Sequence, residues 1–180
     1  MTARPLLAPP GTAIREVLAT DPLARVVLAD LEREYDARYG VAVLGEPASA
    51  EINRYPAAAF APPSGAFLVL LRDGDPVSGG ALMRRDAETA ELKRVWTRRD
   101  ARGRGYARRI LSALELRAAS LGYARLFLTT GPRQPEAVAL YRAHGYSPLF
   151  DPALPAEQIG LHGFEKTLPL GRTATPEDPA

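Results

Sequence analysis

Residues 102–109, Arg-Gly-Arg-Gly-Tyr-Ala-Arg-Arg, set four arginines and two glycines in eight consecutive positions. Such a charge could grip a nucleic acid, or the backbone could fold around a phosphate. The flanks narrow the choice. Upstream, Thr89 to Thr97 (TAELKRVWT) reads as a strand. Downstream, Ala107, Ile110, Leu111, Leu114, Ala118 and Leu121 recur at helical spacing until Gly122 ends the run. Gly103 and Gly105 therefore lie at a helix N-terminus, where unpaired backbone N–H groups meet the positive end of the helix dipole. Glycine lets the backbone curl and approach an anion with no Cβ in the way, and a diphosphate suits such a place. A nucleic-acid-binding Arg-Gly segment needs no following helix and draws on aromatic neighbours for base stacking, and only Tyr106 is at hand. A tight turn with solvated arginines is the third reading. The segment is not a P-loop, which ends in Lys-Ser/Thr, nor the dinucleotide fingerprint, whose third glycine is missing.

Composition limits the partners. The chain has 180 residues, 46% hydrophobic and 24% charged, which fits one soluble globular domain. It has no cysteine, which excludes a disulfide scaffold, a cysteine nucleophile and a cysteine-ligated metal. Two histidines, His144 and His162, leave little for a histidine-built metal site, so no metal is expected. Net charge is +2, yet Lys93 to Arg109 holds eight basic residues against Asp100, so the remainder sums to −5. A charge focused in this way suits a compact anionic partner better than a nucleic-acid surface. The first eleven residues, MTARPLLAPPG, break their apolar run with prolines, and no apolar run reaches the roughly 18 residues of a membrane span. A cytoplasmic protein with no membrane partner is expected.

The rest of the chain reads as alternating elements. Residues 1–11 are expected to be flexible, and Thr12 to Leu18 to form a strand. Asp21-Pro22 is an N-cap with proline in the first turn, and Leu23, Val26, Val27, Leu31, Tyr35 and Tyr39 carry a helix to Gly40. Residues 41–65 read as a loop with a helical turn near 48–54. The strand at 66–72 meets Asp73-Gly74, a hairpin signal, and the strands that follow complete an antiparallel meander. Residues 124–130 form a strand, Pro135 to Gly145 a helix, and Tyr146–Phe150 and Gly163–Leu168 two closing strands. The tail, 169–180, reads as disordered. The fold class is α/β: a single domain over residues 12–168, with a central mixed, mostly antiparallel twisted sheet flanked by helices.

The order ELKRVWTRRDARGRGYARRIL, LGYARLFLTT, PEAVALYRAHGY and GFEKTL resembles the GNAT superfamily of N-acetyltransferases, over about residues 65–168. The family loop reads Arg/Gln-x-x-Gly-x-Gly/Ala, and Arg102 to Ala107 fits it. Thr97 stands where valine is usual and Arg99 where proline is common, and neither change removes an amide. The resemblance implies acetyl-coenzyme A as cofactor. The amides of Arg102, Gly103, Arg104, Gly105, Tyr106 and Ala107 would hold its pyrophosphate, while Val95, Trp96 and Thr97 would pair with the pantetheine arm as an added strand does. Arg104 or Arg108 would meet the 3′-phosphate. Gln134 stands near an asparagine that contacts pantetheine in relatives.

The chemistry requires a neutral amine, and an alkylamine with a pKa near ~10 is below about 1% neutral at pH 7.5. The resemblance offers Glu91 as the base, through water, against the plainer reading of a strand glutamate paired with Lys93 or Arg94. It offers Tyr141 as the acid near the thioester sulfur. His144 reads as a helix-end cap and His162 has no assigned role. Relatives select substrates with the first helix and the loop after it, so Tyr35, Tyr39, Tyr55 and Phe60 could line an acceptor pocket and Glu34 or Glu51 attract an ammonium. The expected acceptor is an amine of a small molecule or peptide. A non-catalytic acyl-coenzyme A sensor and an arginine-rich nucleic-acid binder are the alternatives, and a homodimer is the family's habit.

Overall fold

Asp21 starts the first long helix as its sequence requires. Its Oδ1 accepts from the Leu23 amide at 2.8 Å, and Pro22 occupies the first turn, where a missing N–H costs nothing. The computed structural model describes residues 11–41 and 45–169. The flexible stretch expected at residues 1–11 and the disordered tail expected at 169–180 lie outside the described residues but for Gly11 and Pro169. Strand β1 (Thr12–Val17) precedes this helix, α1 (Pro22–Arg38), which buries Ala24, Val27 and Leu31. The segment read as a loop holds α2 (Ala48–Asn53) and a 3-10 turn (Ala57–Phe60). β2 (Ala66–Arg72) and β3 (Asp75–Arg84) form the hairpin. Asp73 and Gly74 both take positive φ, 52° and 90°, the geometry that lets a two-residue turn follow the strand twist.

β4 (Thr89–Thr97) leads through a 3-10 turn (Arg99–Ala101) into α3 (Tyr106–Ser120). β5 (Arg125–Thr130), α4 (Pro135–Ala143), β6 (Ser147–Pro148), α5 (Ala156–Ile159) and β7 (His162–Thr167) follow. The seven strands form one sheet in the order β1-β2-β3-β4-β5-β7-β6. Only β4 and β5 run parallel, because α3 carries the chain across between them. The mixed, mostly antiparallel sheet is as the sequence leads one to expect. Helix α1 packs on one face over Phe67, Val69 and Trp96, and α3 on the other over Leu68, Leu70 and Leu92. Glycine makes the second contact possible: a Cβ on Gly80 would stand 2.8 Å from Leu114 Cδ1.

Two closing elements differ from expectation. The strand expected over Tyr146–Phe150 shrinks to Ser147 and Pro148, opposite Glu165 and Phe164. Pro148 has no N–H to donate, and Pro152 and Pro155 turn the chain away. Tyr146 is instead buried under Tyr141, and Phe150 packs on His162 and Phe164. The short helix α5 has no period that its four residues could display.

Candidate active site

The parallel pairing of β4 with β5 lasts three residues, from Thr89↔Arg125 to Glu91↔Phe127. Beyond it β5 stays with β7 to its end, and β4 stays with β3. The two central strands therefore part, leaving the Lys93–Thr97 edge of β4 without a strand partner on that side among the described residues. A bulge adds to the divergence: Gly79 opposes Trp96 and Ala81 opposes Lys93, so Arg94 and Val95 together face Gly80. Arg94 takes φ +57°, and its buried side chain donates to the Ile52 carbonyl and covers the Phe60 ring at 4.4 Å.

A cavity of about 610 Å³ lies beside that free edge of β4. Val95, Trp96 and Thr97 form the β4 wall. The turn from Ala101 to Arg108 forms its end, with Gly103 and Gly105 at φ +76° and +80°. Gly105 is the N-cap of α3 and, having no side chain, offers no cap to the first-turn amides. A Cβ at either glycine would meet nothing within 4 Å, so the space in front of these amides is open. From α4 come Glu136, Ala137, Leu140 and Tyr141, with Gln134 at its N-cap, and from α1 come Leu31 and Glu34.

The arginines around the turn divide by partner. Arg98 pairs with Asp100 at 2.7 Å, and Arg109 donates to Thr12 at 2.9 Å. Arg102 donates to the Thr97 carbonyl at 3.1 Å and to Glu34 at 2.7 Å. Among the described residues, Arg104 and Arg108 make no side-chain hydrogen bond or ion pair, and Arg108 lines the cavity while Arg104 does not. Much of the basic segment is thus bound inside the protein, which leaves a nucleic-acid surface little to work with. The turn instead joins open amides, the positive end of a 15-residue helix and a free guanidinium, which together fit a diphosphate.

Of the expected site residues, Val95, Trp96, Thr97, Arg102, Gly103, Gly105, Tyr106, Ala107, Gln134 and Tyr141 line this one cavity. Tyr141 is buried at 6% exposure, its ring against Tyr146 at 5.8 Å and Phe164 at 5.6 Å. Burial, and then the neighbouring Tyr35, push its phenol well above the usual tyrosine range, so it keeps its proton. Gln134 turns its Oε1 toward the end of β5, accepting from Thr130 Oγ1 at 2.7 Å and from the Gly131 amide at 3.1 Å.

Glu91 lies outside the cavity lining, at the last paired position before the strands part, with its carboxylate 2.8 Å from Lys93 Nζ. Tyr35 and Tyr39 also lie off the lining and meet edge to face at 6.2 Å. Burial, and then Glu51, push the Tyr35 phenol up to about 12. Tyr39 Oη lies against the Gly131 turn, where a Cβ would stand 2.1 Å from it. Tyr55 and Phe60 pack on each other beside α1. His144 is the C-cap of α4, and burial holds its imidazole below the ordinary range, so at neutral pH it is not the charged cap that the dipole would favour. His162 is a core residue, its Nδ1 2.9 Å from the Gly160 carbonyl.

Sequence reasoning missed the acid–base chain that closes the cavity mouth. Glu34 accepts from Arg102 and from Arg38, each at 2.7 Å, and Arg38 also grips Glu136 and the Arg133 carbonyl. Burial acts most strongly, to raise the Glu136 carboxyl, but the Arg38 hydrogen bond, a backbone hydrogen bond and the charges of Arg38 and Arg102 together outweigh it and hold it below the usual range. The i,i+4 spacing of Glu34 and Arg38 signals their pair, whereas nothing in the sequence signals partners 68 and 98 positions away.

A sequence model described as the acetyltransferase (GNAT) family matches residues 28–146, more than half of the chain. An Azospirillum brasilense protein named IAA acetyltransferase is 36% identical over 89 residues, 49% of this chain and 58% of that one. An N-acetyltransferase of Escherichia coli, YjgM, is 27% identical over 151 residues, 78% of this chain and 84% of that one. The structure of a GNAT family acetyltransferase from Elizabethkingia anophelis with acetyl-CoA bound superposes with a TM-score of 0.59 at 16% identity. It covers 89% of this chain and the whole of that one. The parted strands, the glycine turn before a helix and the matched family model agree: this chain belongs to the GNAT family of acetyltransferases.

Proposed function

We propose that the protein transfers an acetyl group from acetyl-coenzyme A to the amine of a small molecule or peptide. The observation that carries this is the cavity between the free edge of β4 and α4, which joins an unpaired strand edge, a set of open helix-first-turn amides and one protonated phenol. The amides of residues 103–107 and the Arg108 side chain hold the diphosphate, while the Arg102 amide, expected to join them, already donates to the Arg99 carbonyl at 3.4 Å. The Val95–Thr97 edge takes the pantetheine arm, and the NH₂ of Gln134, whose oxygen is already engaged, is free to donate to it. The coenzyme supplies an acetyl thioester, whose carbonyl carbon an amine can attack.

Tyr141 supplies the acid. Its phenol stays protonated and faces the same space as the strand edge, so it gives its proton to the departing thiolate. Glu91 removes the proton that the amine releases. It lies where the strands part, off the cavity wall, so the proton reaches it through water. Its carboxylate is paired with Lys93 Nζ at 2.8 Å, which holds it in place on β4. Acceptor selection falls to the α1 side of the gap, where Tyr35 and Tyr39 stand behind Leu31 and Glu34.

The test is thiol release from acetyl-coenzyme A, followed over a panel of amino acids, polyamines, arylalkylamines and peptides. Saturable, amine-dependent release with at least one acceptor is the expected result. Tight coenzyme binding with no acceptor turned over anywhere in the panel would favour an acyl-coenzyme A sensor.

A further inference from the structure

Glu34 belongs to two sites at once. It projects from α1 on the acceptor side, yet it lines the cavity together with the glycine turn. Both of its oxygens are engaged, Oε1 by Arg38 and Oε2 by Arg102. Arg102 opens the turn whose amides form the anion cradle, and its guanidinium shares the cavity with Gly103, Gly105 and Arg108. In the free protein that guanidinium is spent on Glu34 and on the Thr97 carbonyl of the unpaired strand edge. A diphosphate carries more negative charge than a carboxylate and offers oxygens to both arms of a guanidinium.

We propose that Glu34 and the coenzyme's diphosphate compete for Arg102, so that coenzyme binding takes the guanidinium and leaves Glu34 Oε2 unpaired inside the cavity. The inference rests on the acetyl-coenzyme A reading above. Arg38 keeps Oε1, so the carboxylate stays in place while its charge balance changes. A carboxylate that loses a cation in a partly buried site favours the arrival of another one. The acceptor side thus gains an anionic group only after the coenzyme is seated, which orders the two substrates. By linkage, whatever weakens the Glu34–Arg102 pair strengthens coenzyme binding.

The test is calorimetric titration with coenzyme A of four proteins at one salt concentration: wild type, Glu34→Gln, Arg102→Ala and the double variant. Melting curves verify that each is folded. Glu34→Gln is expected to bind about three- to fivefold tighter, the range of a partly exposed ion pair. Arg102→Ala is expected to bind more weakly, and the double variant to match it, because without Arg102 there is nothing to compete for. Unchanged or weaker binding by Glu34→Gln overturns the proposal. So does an equal gain in the Arg102→Ala background, which would mean general relief of negative charge near the turn. A wild type that does not bind coenzyme A overturns the coenzyme reading and this inference with it. A wild type that binds, beside a Glu34→Gln that gains nothing, overturns the inference alone.

Discussion

Tyr141 combines three features that one side chain seldom has together: full enclosure of its ring, a phenol held protonated, and a place on the cavity wall. Tyr141→Phe keeps the ring contacts with Tyr146 and Phe164 and removes only the hydroxyl that carries the proton. Turnover should fall about a hundredfold, at the low end of what a general acid contributes, with coenzyme affinity within about twofold of wild type. Steady-state kinetics beside a binding titration measure both, and undiminished turnover would leave Tyr141 a packing residue. Tyr35 makes a different prediction. Its folded-state phenol titrates at about 12 against an ordinary 10.0, so its contribution is fully present below pH 10 and is lost as pH rises toward 12. Melting temperature should drop across that window, and Tyr35→Phe should flatten the drop. An unaltered slope would contradict the burial of Tyr35. Tyr141, Gln134 and the 102–107 turn were legible in the sequence because each belongs to one short motif. Leu31 and Glu136 were not, and Glu34 was legible only as a draw for an ammonium and not as a partner of Arg102, because their place on the cavity follows from how α1 and α4 approach, and no local pattern records that.

The turn from Arg98 to Gly105 and helix α3 act as one element, in which the left-handed Gly105 leaves the helix uncapped and its amides open. A Cβ at Gly105 meets no protein atom within 4 Å, so the main cost of Gly105→Val to folding is the strain of a β-branched residue at φ +80°, about 1–3 kcal/mol. Its cost to the coenzyme is larger, because the isopropyl group occupies the space before the amides. Urea unfolding should show the modest loss while coenzyme binding disappears. A variant that retains wild-type affinity would remove the cradle. At this scale the sequence displays most of the fold: the Asp73-Gly74 hairpin, the Asp21 cap, and the switch from strand to helical period after Thr97 each have a local cause. The parting of β4 from β5 has none. It depends on β5 choosing β7 as its lasting neighbour, a pairing between residues 32 to 42 positions apart. The shortened β6 was hidden for another reason: Pro148 and Pro152 interrupt a run whose aromatic residues turn inward.

Across the molecule, the sheet behaves as two parts joined at its centre by three paired residues and at the cavity mouth by side chains. Helix α1 rides on the β2–β4 part and α4 on the β5–β7 part. Arg38 and Arg133 exchange hydrogen bonds with each other's carbonyls at 2.7 and 2.8 Å, while Arg38 also binds Glu136 at the start of α4. Arg38→Ala should cost about 1–2 kcal/mol, the scale of hydrogen bonds to a charged group. It should also speed hydrogen exchange at Gln134 and Ala137, the first amides of the α4 entry turn. Unchanged exchange there would mean that packing alone holds the two parts together. The same view explains the uneven charge of the sequence. Of the eight basic residues from Lys93 to Arg109, five have partners within the protein (Lys93, Arg94, Arg98, Arg102 and Arg109), and of the other three Arg108 lines the cavity at the turn.

The central claim is that this turn and strand edge hold acetyl-coenzyme A, and calorimetric titration of the wild-type protein with that ligand at moderate salt tests it most directly. Saturable binding at one site per chain in the micromolar range is the expected result. Absence of binding by a protein whose melting curve shows it folded would contradict the account.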